Sequence, residues 1–122
     1  DWARLSCSFG GIWEIQPAAL EESLAGAGGA EIQILDVREP AEFNDVLGHI
    51  PGARLLPLAE LAARSGELDP ERPVVAVCRS GARSAQATVL LRKAGLHRVA
   101  NLAGGMLRWR AEALPVEGGG RD

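Results

Sequence analysis

The chain has 122 residues, of which 47% are hydrophobic and 24% charged, with a formal net charge of −3. That length suits one domain around a single core. The acidic balance argues against nucleic acid as a partner, and no apolar run reaches the roughly 20 residues of a membrane span.

Two cysteines, Cys7 and Cys78, are too few for a disulfide framework. They fit a reducing compartment, and with no secretory signal at the start a cytoplasmic location is expected. The start at Asp1, without a methionine, reads as that of a trimmed or processed chain. Residues 1–11 carry Trp2, Leu5, Cys7 and Phe9 without periodicity and are read as an N-terminal arm. Residues 12–15 form a short apolar edge strand. Pro17 then suits a first helical turn, Leu20 and Leu24 share a face, and Gly26, Gly28 and Gly29 end that helix. Ile32, Ile34, Leu35 and Val37 mark a buried strand over 31–37, which ends in Asp36-Val37-Arg38. Pro40 opens a short helix through Phe43, closed by Asn44-Asp45, and residues 48–53 are turn chemistry.

A short strand follows over 54–56. Pro57 opens a helix carrying Leu58 and Leu61, and Ser65-Gly66 and Asp69-Pro70 bracket a loop. Val74 to Val77 is a β-branched apolar run that reads as a buried central strand. Helices over 84–94, stopped by Gly95, and over 106–112 flank a further strand at 98–102. Residues 117–122, with Gly118, Gly119 and Gly120, read as a flexible tail. Strands alternating with helices over short loops predict an α/β domain over 12–116, with a mostly parallel central sheet and helices on both faces. Ligands of such sheets bind beyond the carboxyl ends of the strands, where Asp36-Val37-Arg38 and Cys78 both fall.

The central strand runs straight into Cys78-Arg79-Ser80-Gly81-Ala82-Arg83-Ser84 and then a helix. A cysteine facing a helix N-terminus and two guanidiniums is placed to ionise and act as a nucleophile. Gly81 permits a backbone that curls its N–H groups inward as an anion-binding nest, and Ser80 and Ser84 add hydroxyl donors. Such a loop could cradle a phosphate or a smaller target such as a sulfane sulfur. Four residues separate Cys78 from Arg83. Cysteine phosphatases hold one residue more, and Val77 stands where they usually carry a histidine, so the spacing favours sulfur over phosphatase or arsenate reductase chemistry.

Four stretches together resemble the single-domain rhodaneses, the thiosulfate sulfurtransferases. They are Leu35-Asp36-Val37-Arg38-Glu39-Pro40-Ala41-Glu42-Phe43, Gly48-His49-Ile50-Pro51-Gly52-Ala53, the Cys78–Ser84 loop, and Leu102-Ala103-Gly104-Gly105-Met106 with Trp109. The run Asn44-Asp45-Val46-Leu47 is slightly longer than usual and lengthens a loop. The resemblance implies a three-layer rhodanese-like fold and a two-step sulfur transfer. Cys78 would take a sulfane sulfur from a small anionic donor such as thiosulfate as a persulfide, then pass it to cyanide or a thiol, with a protein acceptor as an alternative. No metal or organic cofactor is required, since the cysteine is the carrier.

Arg79 is expected at the pocket mouth, drawing in the donor, with a solvated surface arginine as the alternative. Arg83 is expected to turn inward and brace the loop against Asp36, which otherwise reads as a simple strand-end acid. Arg38 is placed at the rim, or paired with Glu39 or Glu42. Gly104 and Gly105 are expected to allow close backbone approach beside the site, Trp109 to pack in the core, His49 to be structural and Cys7 a bystander. A non-enzymatic reading also stands: a rhodanese-like regulatory or interaction module of a larger protein, although such modules often lack the cysteine that this chain keeps.

Overall fold

The computed structural model describes residues 5–7 and 12–118. Five parallel strands form the sheet, in the order β2 (Trp13–Ile15), β6 (Val99–Leu102), β5 (Val74–Val77), β3 (Gln33–Asp36) and β4 (Arg54–Leu55). A sixth strand, β1 (Leu5–Cys7), runs antiparallel outside β2, with Leu5 opposite Ile15 and Cys7 opposite Trp13. β2 is therefore not the edge expected of it. The short, mixed sequence of 5–7 carries no strand periodicity, and only pairing with β2 orders it as one.

Period-two alternation builds two cores. Val74, Ala76 and Cys78 face one side of the sheet, where they meet Leu61 of α3 (Leu58–Arg64) and Ala87 and Leu91 of α4 (Ala82–Lys93). Val75 and Val77 face the other, against Leu20 of α1 (Pro17–Ala25) and Met106 and Trp109 of α5 (Gly105–Ala111). All four residues of β5 are fully buried, as a strand covered on both faces must be. The result is a three-layer α/β domain. Trp109 is buried, and its indole N–H donates to the Pro115 carbonyl at 2.8 Å. Among the described residues, no helix is long and apolar enough to cross a membrane.

Several boundaries differ from the sequence reading for local reasons. β3 starts at Gln33 because Gly29–Glu31 forms a 3-10 turn. α4 starts at Ala82 rather than 84, because Gly81, with φ of 107°, turns the chain into the helix immediately after the loop. Glu117, assigned to the tail, bridges antiparallel to His49, with N–H to carbonyl distances of 2.8 and 2.9 Å. Residues 119–122 of that tail lie outside the described residues, as does the side chain of Cys7.

The packing that matters most for the strand ends is the entry of α5. Met106 N–H donates to the Cys78 carbonyl at 2.9 Å and Leu107 N–H to the Arg79 carbonyl at 3.0 Å. Gly105 sits against both carbonyls with φ of 58°, and a Cβ there would lie 2.5 Å from each oxygen. Gly28 also has positive φ, 87°, but faces open space. Gly28→Ala should therefore cost only the left-handed strain, about 1 kcal/mol. Gly105→Ala should cost about 3 kcal/mol in urea unfolding, because strain and collision add; equal costs would show that α5 can shift freely.

Candidate active site

Cys78 follows the last residue of β5 and is 1% exposed. Its sulfur accepts hydrogen bonds from Gly81 N–H at 3.1 Å, Ser84 N–H at 3.3 Å and the Ser84 hydroxyl at 3.3 Å. The two amides are available because the first N–H groups of a helix have no partner within it. Ser84 stands in the first turn of α4, and Gly81 caps that helix. Burial pushes the Cys78 thiol up, but the Ser84 hydroxyl and the amides of Ser84, Gly81 and Ser80 pull it down by more, and the net displacement is downward. The arrangement favours a thiolate at the bottom of a loop of N–H donors.

The arginines divide differently from the sequence expectation. Arg83 does not brace against Asp36. It forms a bidentate pair with Glu42 of α2 (Pro40–Phe43), at 2.7 and 2.9 Å, tying the first turn of α4 across the site to α2. Asp36 is fully buried and belongs instead to Arg38, whose Nε and Nη2 reach its two oxygens at 2.9 and 2.7 Å. Arg38 is thus committed to Asp36 and forms no ion pair with Glu39 or Glu42, although it lines the same cleft as Arg79. It is 1% exposed, and its Nη2 also donates to the Gly48 carbonyl at 2.7 Å, pinning the following turn. The physical reason is proximity. Two residues beyond Asp36 the chain turns over the strand end, and the nearer guanidinium satisfies the buried carboxylate.

Arg79 is exposed, and among the described residues its side chain makes no hydrogen bond or ion pair. It lines a small cleft with Arg38, Glu42, Asp45, Val46 and Leu47, so the lengthened 44–47 run supplies part of the wall. Ser80 and Ala82 are exposed on the outer side of the loop. His49 stays out of the site. Its ring stacks on Phe43 with centroids 3.8 Å apart, and Nδ1 lies 2.9 Å from the Phe43 carbonyl. Wider hollows beside Glu31 and Arg98, and beside Leu24 and Trp109, contain no thiol. Among the described residues no cluster of side chains could hold a metal ion.

Two participants escaped the sequence reading. The sequence offers Glu42 only as a partner for Arg38. Asn101 was read simply as part of a strand, although a polar residue in the middle of Val99-Ala100-Asn101-Leu102 is the kind of buried group that needs a reason. It is 3% exposed and receives the Ser84 hydroxyl on its Oδ1.

Residues 17–112 match the family profile of the rhodanese-like domain. The chain belongs to that family. A sulfurtransferase of Allochromatium vinosum is 40% identical to this rhodanese-like chain over 103 residues, 84% of this chain and 92% of that protein. The putative sulfurtransferase YtwF of Bacillus subtilis is 35% identical, over 85% of this chain and 96% of its own. Among solved structures, the Alr3790 protein of Anabaena sp. superposes with a TM-score of 0.77 at 35% identity, covering 86% of this rhodanese-like chain and 80% of that one.

The Glu42–Arg83 pair has a pH signature. The Arg83 guanidinium, hydrogen-bonded to Glu42, holds its carboxyl at about 2 against an ordinary 4.5, although burial opposes the shift. Because the folded-state value lies below the unfolded one, the pair stabilises the fold fully above the ordinary value. That contribution is lost as pH falls toward the depressed one. Glu42→Gln should therefore be less stable than the parent at neutral pH in urea unfolding. The gap between the two should shrink as pH is lowered through this window.

Proposed function

We propose that this domain is a sulfurtransferase that carries a sulfane sulfur as a persulfide on Cys78. The observation that carries the reading is the convergence of three hydrogen-bond donors on one buried sulfur. The Cys78 thiolate attacks the outer sulfur of thiosulfate or a similar anionic donor. The sulfur–sulfur bond of the donor breaks, its electron pair leaves on sulfite, and a new sulfur–sulfur bond forms at Cys78. A cyanide ion or a thiolate then attacks the outer sulfur and returns Cys78 to its anion, so no external oxidant or reductant enters. Loop N–H groups stabilise the charge in the manner of an oxyanion hole.

Arg79 is the guanidinium that meets the donor, because the other two are already committed to carboxylates. The similarity to proteins named sulfurtransferases supports the same chemistry class.

Mass spectrometry after incubation with thiosulfate should find one added sulfur atom on Cys78, removed by cyanide and never gained by Cys78→Ser. A protein that stays unmodified in the absence of reductant would overturn the reading. Arg79→Ala should raise the KM for thiosulfate about tenfold, equivalent to ~1.4 kcal/mol, with an unchanged melting temperature.

A further inference from the structure

The site continues behind the sulfur as a chain of polar side chains that the transfer chemistry does not call for. Ser84 Oγ lies within hydrogen-bond distance of both Cys78 Sγ, at 3.3 Å, and Asn101 Oδ1. Asn101 Nδ2 lies 3.2 Å from Gly81 O and 3.2 Å from Glu14 Oε2 on β2. The orientation of this amide is fixed by its surroundings. A backbone carbonyl and a carboxylate only accept, so the nitrogen must face them and the oxygen must face Ser84. Asn101 Oδ1 can only accept as well. A hydroxyl has one proton, and two acceptors compete for it.

Which acceptor wins depends on the charge on the sulfur. When Cys78 is a thiol, its own proton can point at Ser84 Oγ, and Ser84 gives its proton to Asn101. When Cys78 is a thiolate, the anion is the stronger acceptor and Ser84 turns to it. When Cys78 carries a second sulfur, the inner atom is a neutral divalent sulfur and the charge sits on the outer one. The Ser84 proton then returns to Asn101.

We propose that Asn101, held by Glu14 and Gly81, is a positioning residue that acts through Ser84, withdrawing its proton from the sulfur whenever the negative charge leaves the inner atom. The persulfide part of this rests on the sulfur-carrier reading above; the competition for the proton does not. Asn101 makes the free thiolate less favourable than an uncontested Ser84 would, and the thiol and persulfide states correspondingly more so.

Other charges around the site are Arg83 from α4, Arg79 from the loop, Glu42 from α2, Asp45 just after it and the Asp36–Arg38 pair at the end of β3. From α5, Arg110 donates to the Val46 and Leu47 carbonyls at the cleft, at 3.2 Å each, while Arg108 pairs with Glu112 at 3.0 Å on the outside. None of these groups hydrogen-bonds to Ser84 or Asn101, so their field is common to all variants compared below.

The test is the thiol pKa of the whole chain, read from the pH dependence of Cys78 alkylation by iodoacetamide without any sulfur donor, with Cys7 replaced by serine throughout. Ser84→Ala should raise that pKa by about one pH unit, the worth of one hydrogen bond to a charged group. Asn101→Ala should move it the opposite way, downward by about half a unit, because Ser84 is freed for the thiolate. The double variant should match Ser84→Ala alone, since Asn101 has nothing left to act through. A pKa that is unchanged or raised in folded Asn101→Ala overturns the proposal. So does a double variant displaced from Ser84→Ala by the full Asn101 effect.

Should Asn101→Ala fail to fold, Glu14→Gln on the partly exposed strand decides. It weakens the polarisation of the amide, so it should lower the pKa with Ser84 present and do so less in the Ser84→Ala background. Equal shifts in both backgrounds overturn the proposal. Since no donor is present, the titration reads the relay even if Cys78 accepts no sulfur, and thiosulfate loading reads the sulfur-carrier reading separately.

Discussion

The candidate site depends on how the peptide groups of one loop are sorted by direction. The carbonyls of Cys78 and Arg79 point away from the sulfur, into the amides of Met106 and Leu107 at the start of α5. The amides of Gly81 and Ser84 point toward it. Were those carbonyls free to rotate inward, they would present negative ends to a thiolate and cancel the donors. A helix from the end of the chain therefore fixes the polarity of a loop in its middle. Gly105 is the residue whose missing side chain lets that helix come close enough.

Around this loop four of the charges are tied into two ion pairs. Asp36 and Arg38 neutralise each other inside the protein, where an unpartnered charge would be costly. Glu42 and Arg83 do so halfway to the surface, and they link α2 to α4 where the sheet itself provides no connection. Arg79 remains. The N–H donors converging on the sulfur at the floor favour an anion there, and the Arg79 guanidinium stands free to meet one at the mouth.

Much of this was legible in the residues. The apolar run 74–77 between the Asp69-Pro70 turn and Cys78 identified the central strand. Proline at 17 and 40 marked helix starts, and Gly104-Gly105 announced a close approach. Pairings were less legible. Asp36 has three arginines within reach along the sequence logic, and which one it takes depends on how the chain turns at Arg38, a matter of a few ångströms that no spacing rule contains. β1 was invisible because a three-residue strand takes its conformation from its neighbour rather than from its own propensities. Asn101 is hidden because residues 98–102 read as a strand through their apolar members. Its polarity was the signal, but its use becomes apparent only when Ser84 is seen beneath it.

The depth at which Cys78 sits sets an asymmetry of size between the two halves of a sulfur transfer. On the proposed reading, the bare sulfur lies on a floor that only a slim anion can touch, since the residue is 1% exposed. A second sulfur extends the reactive atom by about 2 Å toward the opening. The loaded protein therefore offers its cargo to reagents too bulky to have reached the empty one. Loading is selective for narrow donors, while delivery is open to a broader class of acceptors, with no moving part required.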